Sequence, residues 1–269
     1  MKVASLHIYP VKSGQAVNLS AATLHARGLA GDRRFMIVDE NGTFITQRKI
    51  PKLAGLHTQQ TSVGLSLSWP GAGSMEVGLP SKNRKNVVVW RSTVSAALAA
   101  SHVNDALSSW LGKPVSLVFM DEESERTASE KWTTTPSPVS FADGYPVLIT
   151  TTVSLAALNE HIIEGGAAAV PMSRFRPNIV IENEVPWAED SWKQLEIGGA
   201  VIDLVKPCTR CVMTTLDQSS GRKQGREPLR SLRALRTSAD PNNEGVLFGV
   251  NAVPNVLGDI SVGMVCKVI

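Results

Sequence analysis

Short segments in which apolar and polar residues alternate, or in which β-branched residues predominate, recur along the 269 residues of this chain. A period of two places every second side chain on one face and therefore predicts β-strands. The predicted strands are residues 3–9, 34–39, 43–47, 65–69, 87–90, 115–119, 178–182, 195–197 and 200–205. Helical patterns are fewer: residues 101–112, which end in Gly112, residues 152–163, which open with a threonine cap, and a shorter one at 226–235. Asn41-Gly42, between two predicted strands, indicates a hairpin turn.

Many short strands with few helices predict an α+β, β-rich fold, with barrel-like sheets and helices packed around them. Apolar residues make up 43% of the chain, which is enough to bury a core. An acidic run at residues 121–125 leads into a Thr- and Pro-rich segment that ends at Val139. We interpret this aperiodic stretch as a loop or linker between two domains, or as a mobile lid.

Composition and charge limit the classes of function. The formal net charge of +3 is too small by itself to indicate a nucleic-acid polymer or a membrane as partner. Three cysteines cannot form a disulfide framework, which predicts a reducing compartment, the cytoplasm. Residues 1–10 alternate in polarity, so we interpret them as a first strand and not as a signal peptide. No stretch is apolar over the length that a bilayer requires.

Two of the cysteines lie three residues apart in Lys206-Pro207-Cys208-Thr209-Arg210-Cys211. A cation beside a thiol favours the thiolate, the form that acts as a nucleophile or as a ligand for a soft metal. Zinc normally needs four Cys or His ligands, and Cys266 with five scattered histidines offers no paired spacing. A thioredoxin-type dithiol would stand at a helix N-terminus, whereas residues 212–216 are strand-like. Two structural cysteines remain an alternative, although the flanking cations argue against burial in an apolar core.

Other segments place cations and hydrogen-bond donors at the edges of predicted strands. These segments contribute Lys12 with Ser13, Arg33 with Arg34, and Arg174 with Arg176. A guanidinium group binds phosphate through paired hydrogen bonds, and lysine binds it as a point charge. Each of these side chains alone is most simply a solvated surface charge, but together, beside a thiolate motif, they predict a site for an anionic ligand. The six tryptophans are interpreted as packing residues.

These motifs together resemble those of MOSC-domain proteins, in particular the amidoxime-reducing branch of bacteria and mitochondria. They are Tyr-Pro-Val-Lys-Ser at 9–13, Asp-Arg with Phe-Met-Ile-Val at 32–38, Ser-Phe-Ala-Asp-Gly-Tyr-Pro at 140–146, Arg-Phe-Arg-Pro-Asn-Ile-Val at 174–180, and the cysteine motif at 206–211 followed by Thr-Thr. The resemblance covers essentially the whole chain. It implies an N-terminal β-barrel MOSC domain over residues 1–118 and a MOSC domain over residues 125–269.

The resemblance further implies a molybdenum cofactor, a pterin dithiolene that carries a phosphate and whose metal is held by one protein cysteine. Cys211, the second of the pair, matches that metal ligand and is the candidate catalytic residue. The positions that match cofactor contacts in the family are Lys12, Ser13, Arg33, Asp143, Gly144, Tyr145, Arg176, Asn178, Thr209, Arg210 and Asn251. Relatives carry hydroxyl residues in place of Gly144 and Tyr145, and animal relatives carry tyrosine in place of Asn251. Pyridoxal phosphate binding is not expected.

By resemblance, the activity is an oxidoreductase reaction that removes oxygen from a small N-hydroxylated substrate: a hydroxylamine, an amidoxime or an N-hydroxylated base. Close bacterial relatives often continue into a ferredoxin-like domain, whereas this sequence ends at Ile269 and has too few cysteines for a two-iron cluster. Electrons would then come from a separate donor protein, ferredoxin-like or a flavoprotein. Residues 121–125 would attract a basic donor, or they form a solvated acidic loop.

Two other functions remain open at this stage. A MOSC domain of this kind would serve as a sulfur carrier if a persulfide on Cys211 or Cys208 delivered sulfur for metal-sulfur cluster or cofactor assembly. Alternatively, the chain would bind the molybdenum cofactor without catalysing turnover. The cofactor-binding residues would be the same for an enzyme and for a binding protein, so metal content and turnover must separate these hypotheses.

Overall fold

The structure, a computed structural model, describes residues 1–80 and 82–269. The strands within these residues are β1 (Lys2–Ile8), β2 (Val17–Leu19), β3 (Ala21–His25), β4 (Gly28–Leu29), β5 (Phe35–Asp39), β6 (His57–Thr61), β7 (Gly64–Ser68), β8 (Met75–Gly78), β9 (Arg84–Val89), β10 (Ser92–Leu98), β11 (Val115–Phe119), β12 (Val147–Thr151), β13 (Ile179–Glu182), β14 (Gln194–Ile197), β15 (Ala200–Arg210), β16 (Val246–Val256), β17 (Gly258–Ser261) and β18 (Cys266–Val268). The helices are α1 (Ser101–Leu111), α2 (Thr152–Glu164) and α3 (Leu229–Leu235). This composition confirms the predicted β-rich α+β fold.

An eight-stranded sheet carries most of the segments that the sequence singles out. Its strand order is β18-β14-β15-β16-β12-β13-β1-β2, and only the β12–β13 pair is parallel. Strand β1 pairs with β13 with Leu6 opposite Ile179, so the first strand of the chain lies among strands from its second half. Alternate side chains of these strands, such as Leu6, Ile149 and Ile202, are fully buried in one apolar core.

Smaller antiparallel sheets complete the molecule. One has the order β5-β11-β10-β9, a second β6-β7-β8, and a third β17-β3-β4. Helix α1 buries Val103 and Leu107 in a second apolar core. Side chains from β5, β7 and β11 belong to the same core. The third sheet contributes Leu24 and Ile260 to the core of the eight-stranded sheet. The division at residues 118–125 stays a prediction, since β1 to β4 share a core with strands that follow residue 146.

Most of the predicted strands form, with one clear exception. The segments at 3–9, 34–39, 115–119 and 195–197 correspond to β1, β5, β11 and β14. The predicted strand at 43–47 is wrong, because Thr43 and Phe44 form only isolated bridges and the next residues enter a turn. The Asn41-Gly42 turn does form, with the Gly42 amide donating to the Asp39 carbonyl over 2.9 Å.

The predicted helices correspond to α1, α2 and α3, and Gly112 ends α1 in the left-handed conformation with φ +72°. The threonine that caps α2 is Thr151, whose hydroxyl accepts the Ser154 amide proton. The strand-like interpretation of residues 212–216 is wrong, because Val212–Thr215 is a 3-10 turn. Among the described residues, none of the helices combines the length and the apolar character needed to cross a bilayer.

The segment between β11 and β12 is an irregular loop, as predicted. Its acidic residues are largely paired with arginines. Asp121 and Glu123 lie 2.5 and 3.2 Å from the Arg84 guanidinium, and Glu122 lies 2.8 Å from that of Arg34. The acidic run is therefore tied to Arg84 of β9 and to Arg34, just before β5, while Glu125 forms no ion pair among the described residues.

Candidate functional site

A cavity of about 350 Å³ lies where the C-terminal end of β1 and the loops around β12 and β13 meet β15 and β16. The residues that match the cofactor contacts and the metal ligand of the family all line it: Lys12, Ser13, Arg33, Asp143, Gly144, Tyr145, Arg176, Asn178, Thr209, Arg210, Cys211 and Asn251. Arg34, which the sequence placed beside Arg33 in the predicted anion site, is not among the lining residues and pairs with Glu122 instead. The fold therefore brings together segments that are more than two hundred residues apart in the chain. The contacts that these residues make with a ligand stay predictions.

Several lining residues were not among the predicted cofactor contacts: Thr46, Arg48, Trp90, Ala142, Leu148, Arg174, Phe175, Lys206, Cys208, Met213 and Thr214. The sequence did name Arg174 as a cation of the anion site and Cys208 as an alternative sulfur carrier, and Lys206 belongs to the same motif as Cys208. Trp90 had no such signal, and the packing interpretation is wrong for it because the residue is 44% exposed on the cavity wall. Arg48 lies over its ring, 5.0 Å from the ring centre.

Lys12 follows β1 and is almost fully buried in the cavity wall. Its ammonium donates to the Phe141 carbonyl over 2.8 Å and to the Asp143 carboxylate over 2.6 Å. Burial lowers the pKa of Lys12, and the Asp143 charge opposes that shift. Enclosure by protein raises the pKa of Asp143, but the Lys12 charge and hydrogen bonds from Lys12 and Trp90 outweigh it and leave the net pKa below its ordinary value. The Asp143 carboxylate is therefore ionised near neutral pH, and its charge favours the protonated form of Lys12.

Asn178 connects the arginines of the cavity to the eight-stranded sheet. Its side-chain oxygen accepts from the Arg33 guanidinium over 3.1 Å and from the Leu148 amide over 3.1 Å. Its side-chain nitrogen donates to the His7 carbonyl over 3.1 Å. Arg33 also pairs with the buried Asp32 carboxylate at 2.6 Å. In this structure the Asn178 amide therefore holds Arg33 and the strands around it in place.

Tyr9 lies beneath two of the cavity arginines. The guanidinium groups of Arg33 and Arg176 lie over its ring, at 4.4 and 4.1 Å from the ring centre. Its hydroxyl donates to the Pro177 carbonyl over 3.1 Å. Burial raises the pKa of Tyr9 to about 12, so the phenol stays neutral at pH 7. Burial also lowers the pKa of Arg176 to about 10, which still leaves this guanidinium protonated at neutral pH.

The backbone of the cavity wall is strained at several residues. Ser13, Arg33, Trp90 and Arg176 have φ of +67°, +46°, +56° and +55°. Side chains other than glycine rarely adopt this left-handed region, which costs of order 1 to 3 kcal/mol per residue. Such strain persists where the surrounding contacts enforce it and is concentrated at functional sites. Four of the five non-glycine residues with positive φ among the described residues thus lie in this cavity, which supports it as the candidate functional site.

The cysteine motif lies at the end of β15, whose pairing with β16 shifts register between Leu204 and Lys206 and again between Pro207 and Thr209. These bulges re-aim the side chains, so that consecutive residues from Cys208 to Cys211 line the cavity. Cys211 is exposed and Cys208 is half-buried. The Arg210 guanidinium donates to the Cys208 sulfur over 2.9 Å and to the Phe175 carbonyl. Arg210 directly precedes Cys211 in the sequence, but its side chain contacts the sulfur of Cys208.

Charge in the cavity is strongly positive. The lining cations are Lys12, Arg33, Arg48, Arg174, Arg176, Lys206 and Arg210, against the single carboxylate of Asp143. A cavity with this excess of fixed cations attracts an anionic ligand, and guanidinium groups suit phosphate in particular. An exposed thiol in the same wall adds a ligand for a soft metal. The geometry therefore suits an anion that also carries a metal.

Comparison with protein families agrees with the arrangement. The model of the MOSC N-terminal beta barrel domain matches residues 1–114, and that of the MOSC domain matches residues 136–267. Mitochondrial amidoxime-reducing component 1 of Homo sapiens is 30% identical over 97% of this chain and 81% of its own length. Mitochondrial amidoxime reducing component 2 of Bos taurus is 29% identical over 97% of this chain and 81% of its own length.

A second kind of relative is matched over much less of its own length. Molybdenum cofactor sulfurase of Oryza sativa subsp. japonica is 28% identical over 91% of this chain and 32% of the relative. The order of motifs, the two matched domain models and the relatives all lead to the same assignment. The chain belongs to the MOSC-domain family, and its relatives in that family include the mitochondrial amidoxime-reducing components.

Proposed function

We propose that this protein binds a molybdenum cofactor and reduces small N-hydroxylated compounds, hydroxylamines, amidoximes or N-hydroxylated bases, with electrons from a separate donor protein. The observation that carries the proposal is the combination of seven cationic side chains and the exposed Cys211 thiol around one cavity. The names of the amidoxime-reducing relatives support the reaction type.

The residues present fit this cofactor on chemical grounds. A pterin dithiolene with a phosphate is a polyanion, and fixed cations such as Lys12, Arg33 and Arg176 would bind it without rearrangement, because protein contacts already hold each of them. Cys211 would hold molybdenum, since a thiolate suits a soft metal. Thr209, Arg210 and the loop of Asp143, Gly144 and Tyr145 would enclose the pterin.

The protein's own contribution would be position and electrostatics. The bound cofactor would supply the two-electron couple, and the substrate would take up two electrons and two protons and yield the amine-type product and water. Asp143 stays ionised beside Lys12 and so would accept hydrogen bonds instead of donating a proton. The β9–β10 turn contributes Trp90 to the cavity wall, and the loop after Phe44 contributes Arg48, which lies over the Trp90 ring.

The first test measures molybdenum and pterin in protein purified from a host that makes the cofactor. Cys211→Ser should lose nearly all of the metal, whereas Cys208→Ser should retain most of it, because only one thiolate is assigned as the ligand. Elemental analysis and fluorescence of the oxidised pterin give both quantities. Equal loss in the two variants would contradict the single-ligand assignment, and absence of metal from the parent would contradict the cofactor.

The sulfur-carrier function remains the second candidate because of the Arg210–Cys208 contact at 2.9 Å and the relative named molybdenum cofactor sulfurase. A guanidinium beside a sulfur would stabilise a persulfide anion. Cyanolysis of the purified protein releases and counts such sulfur. Sulfane sulfur that depends on Cys208, in protein that lacks molybdenum, would favour the carrier. Bound cofactor without turnover, with any electron donor, would indicate a binding protein.

A further inference from the structure

A group of exposed cations lies on two loops, one of which reaches the cavity through Arg48, and is hereafter called the basic rim. It consists of Arg48, Lys49, Arg222, Lys223, Arg226 and Arg230, all of them exposed. Within the described part of the chain, none of the six forms an ion pair with a carboxylate. By contrast, the acidic loop is paired internally through Arg34 and Arg84.

The basic rim is built from two loops that touch. A Cβ added to Gly221 would collide with the Pro51 carbonyl, so the turn before Arg222 rests directly on the residues that follow Lys49. The Arg222 carbonyl accepts the Asp217 amide proton over 2.8 Å, and the Gln224 amide donates to the Thr215 carbonyl over 2.8 Å. The cations at residues 48–49 and those at residues 222–223, which are far apart in the sequence, therefore lie on loops in contact with each other.

This surface adjoins the candidate metal ligand. Backbone hydrogen bonds join residues 222–224 to residues 215–217. Met213 and Thr214, which directly precede Thr215 in the chain, line the cavity. The turn Val212–Thr215 begins directly after Cys211, which is exposed. Arg48 belongs both to the basic rim and to the cavity wall. A protein seated on the rim would therefore approach Cys211 closely.

Within residues 215–231, two carboxylates stand against four cations of the rim. Asp217 is engaged by the hydroxyls of Ser219 and Ser220, at 2.6 and 2.8 Å. Glu227 is 9% exposed and accepts the Ser231 amide proton over 3.1 Å. Six exposed cations that form no ion pair among the described residues, on a protein of net charge +3, make a local positive excess that an anionic protein surface would complement.

We propose that the basic rim is the docking surface for a small acidic electron-donor protein, an inference that rests on the proposed function. Electron-transfer partners meet through small, transient interfaces, and complementary charge sets their association rate. The position of the rim beside the exposed Cys211 is what a donor requires, because electrons must reach the group that this thiol would hold.

The test compares the holoprotein with the double variant Arg222→Glu/Lys223→Glu, neither residue of which lines the cavity. The matched control is Lys193→Glu/Lys267→Glu. These two lysines are exposed and lie just before β14 and on β18 at the far edge of the eight-stranded sheet, and among the described residues neither strand contributes to the cavity. Electrons are supplied either by an acidic two-iron ferredoxin with its reductase and NADPH, or by reduced methyl viologen, with an aryl amidoxime as substrate.

We expect the rim variant to lose about tenfold or more in ferredoxin-driven kcat/KM at low salt, the scale on which charge steering acts. Its viologen-driven rate should stay within about twofold of the parent, because the small dye needs no docking surface. The control should retain both rates. The ferredoxin-driven rate of the parent should also fall as ionic strength rises, and that of the rim variant should fall less.

Direct binding keeps this inference separable from the proposed function. Titration of the parent with the same ferredoxin, followed calorimetrically, should show association that the rim variant loses and the control keeps, whether or not turnover occurs. Binding without any turnover would contradict the reductase and leave the surface supported.

Three results would overturn the docking surface. One is a parent that does not bind the ferredoxin, and another is a rim variant whose two rates fall together. The third is a parent that binds single-stranded DNA or phosphatidylserine vesicles as strongly as the ferredoxin, which would show a general polyanion surface instead.

Discussion

At the scale of single residues, Tyr9 supports two arginines of the cavity, a role that its position in the sequence does not indicate. The ring is buried and does not line the cavity, yet two guanidinium groups that do line it rest on its face. Arg33 and Arg176 would otherwise repel each other, since burial and the nearby Arg33 charge together lower the pKa of Arg176. The negative face of an aromatic ring offsets part of that repulsion, by about 0.5 to 2 kcal/mol per cation.

Tyr9 should therefore position both arginines for cofactor binding. Tyr9→Leu removes the aromatic face and should weaken molybdenum cofactor retention by roughly tenfold, from the loss of about 1 to 2 kcal/mol of cation–π attraction. Tyr9→Phe keeps the ring and loses only the hydrogen bond to Pro177, so it should lower the free energy of unfolding by about 1 kcal/mol and keep the cofactor. Metal content and urea denaturation measure the two effects.

A purely structural role for Tyr9 predicts a different result. Both variants would then lower stability and lose cofactor in proportion to that loss of stability. Retention in Tyr9→Leu that equals retention in Tyr9→Phe would show that the ring does not position the arginines.

Sequence motifs were more successful in predicting which residues line the cavity than in predicting the contacts those residues make. All of the predicted cofactor contacts except Asn251 lie in the short motifs quoted above, and the fold brings them, with Asn251 from the middle of β16, to one cavity. The motifs did not indicate how Asn178 is used, because its three hydrogen bonds run to Arg33, Leu148 and His7, which are distant in sequence. Trp90 and Arg48 were missed because nothing around either residue distinguishes it from an ordinary surface or packing residue.

At the scale of elements, β16 shows why strand prediction fails in places. This strand runs from Val246 to Val256 through Gly249 and Pro254, residue types that disfavour strands. Gly249 has φ +73°, a conformation that glycine adopts at little cost, and it lies against β12 at a point where a side chain has no room. The local pattern therefore points to a break, whereas pairing with both β12 and β15 maintains the strand.

Gly249 should be intolerant of a side chain. In Gly249→Ala the new Cβ would lie 2.6 Å from the Ile149 carbonyl oxygen and 2.7 Å from the Thr150 methyl carbon, in addition to the strained φ. We expect the free energy of unfolding to fall by about 2 kcal/mol or more. Chemical denaturation measures this change.

Gly78 is the matched control, since it also lies in a strand but has no atom within 4 Å of an added Cβ. Gly78→Ala should change stability by less than about 0.5 kcal/mol. A Gly249→Ala variant as stable as the parent would mean that β12 and β16 can separate locally without cost.

At the scale of the whole molecule, the core of the second half depends on the first thirty residues. Leu6 and Ile8 from β1, Leu24 from β3 and Leu29 from β4 are buried among the strands that follow residue 146. Burial of each such side chain contributes roughly 1.5 to 3 kcal/mol. Their sum is comparable to the total stability of a domain, which is about 5 to 15 kcal/mol.

A fragment of residues 125–269 should therefore fail to fold, although the family resemblance divides the chain there. We expect no cooperative unfolding transition by circular dichroism. The control is the full chain with a protease site inserted between Thr133 and Pro136, in the irregular loop. After cleavage, its two pieces should stay associated and unfold together. A cooperative transition in the isolated fragment would show that the predicted boundary separates independent folding units.

The pairing of β1 with β13 has a consequence for synthesis on the ribosome. Leu6 leaves the exit tunnel about 170 residues before Ile179, the residue of β13 opposite which it lies. At typical bacterial or eukaryotic elongation rates that interval lasts roughly ten to thirty seconds. During this time an apolar strand has no partner on one edge, so nascent chains would be the form of this protein that chaperones meet and the form most prone to aggregate.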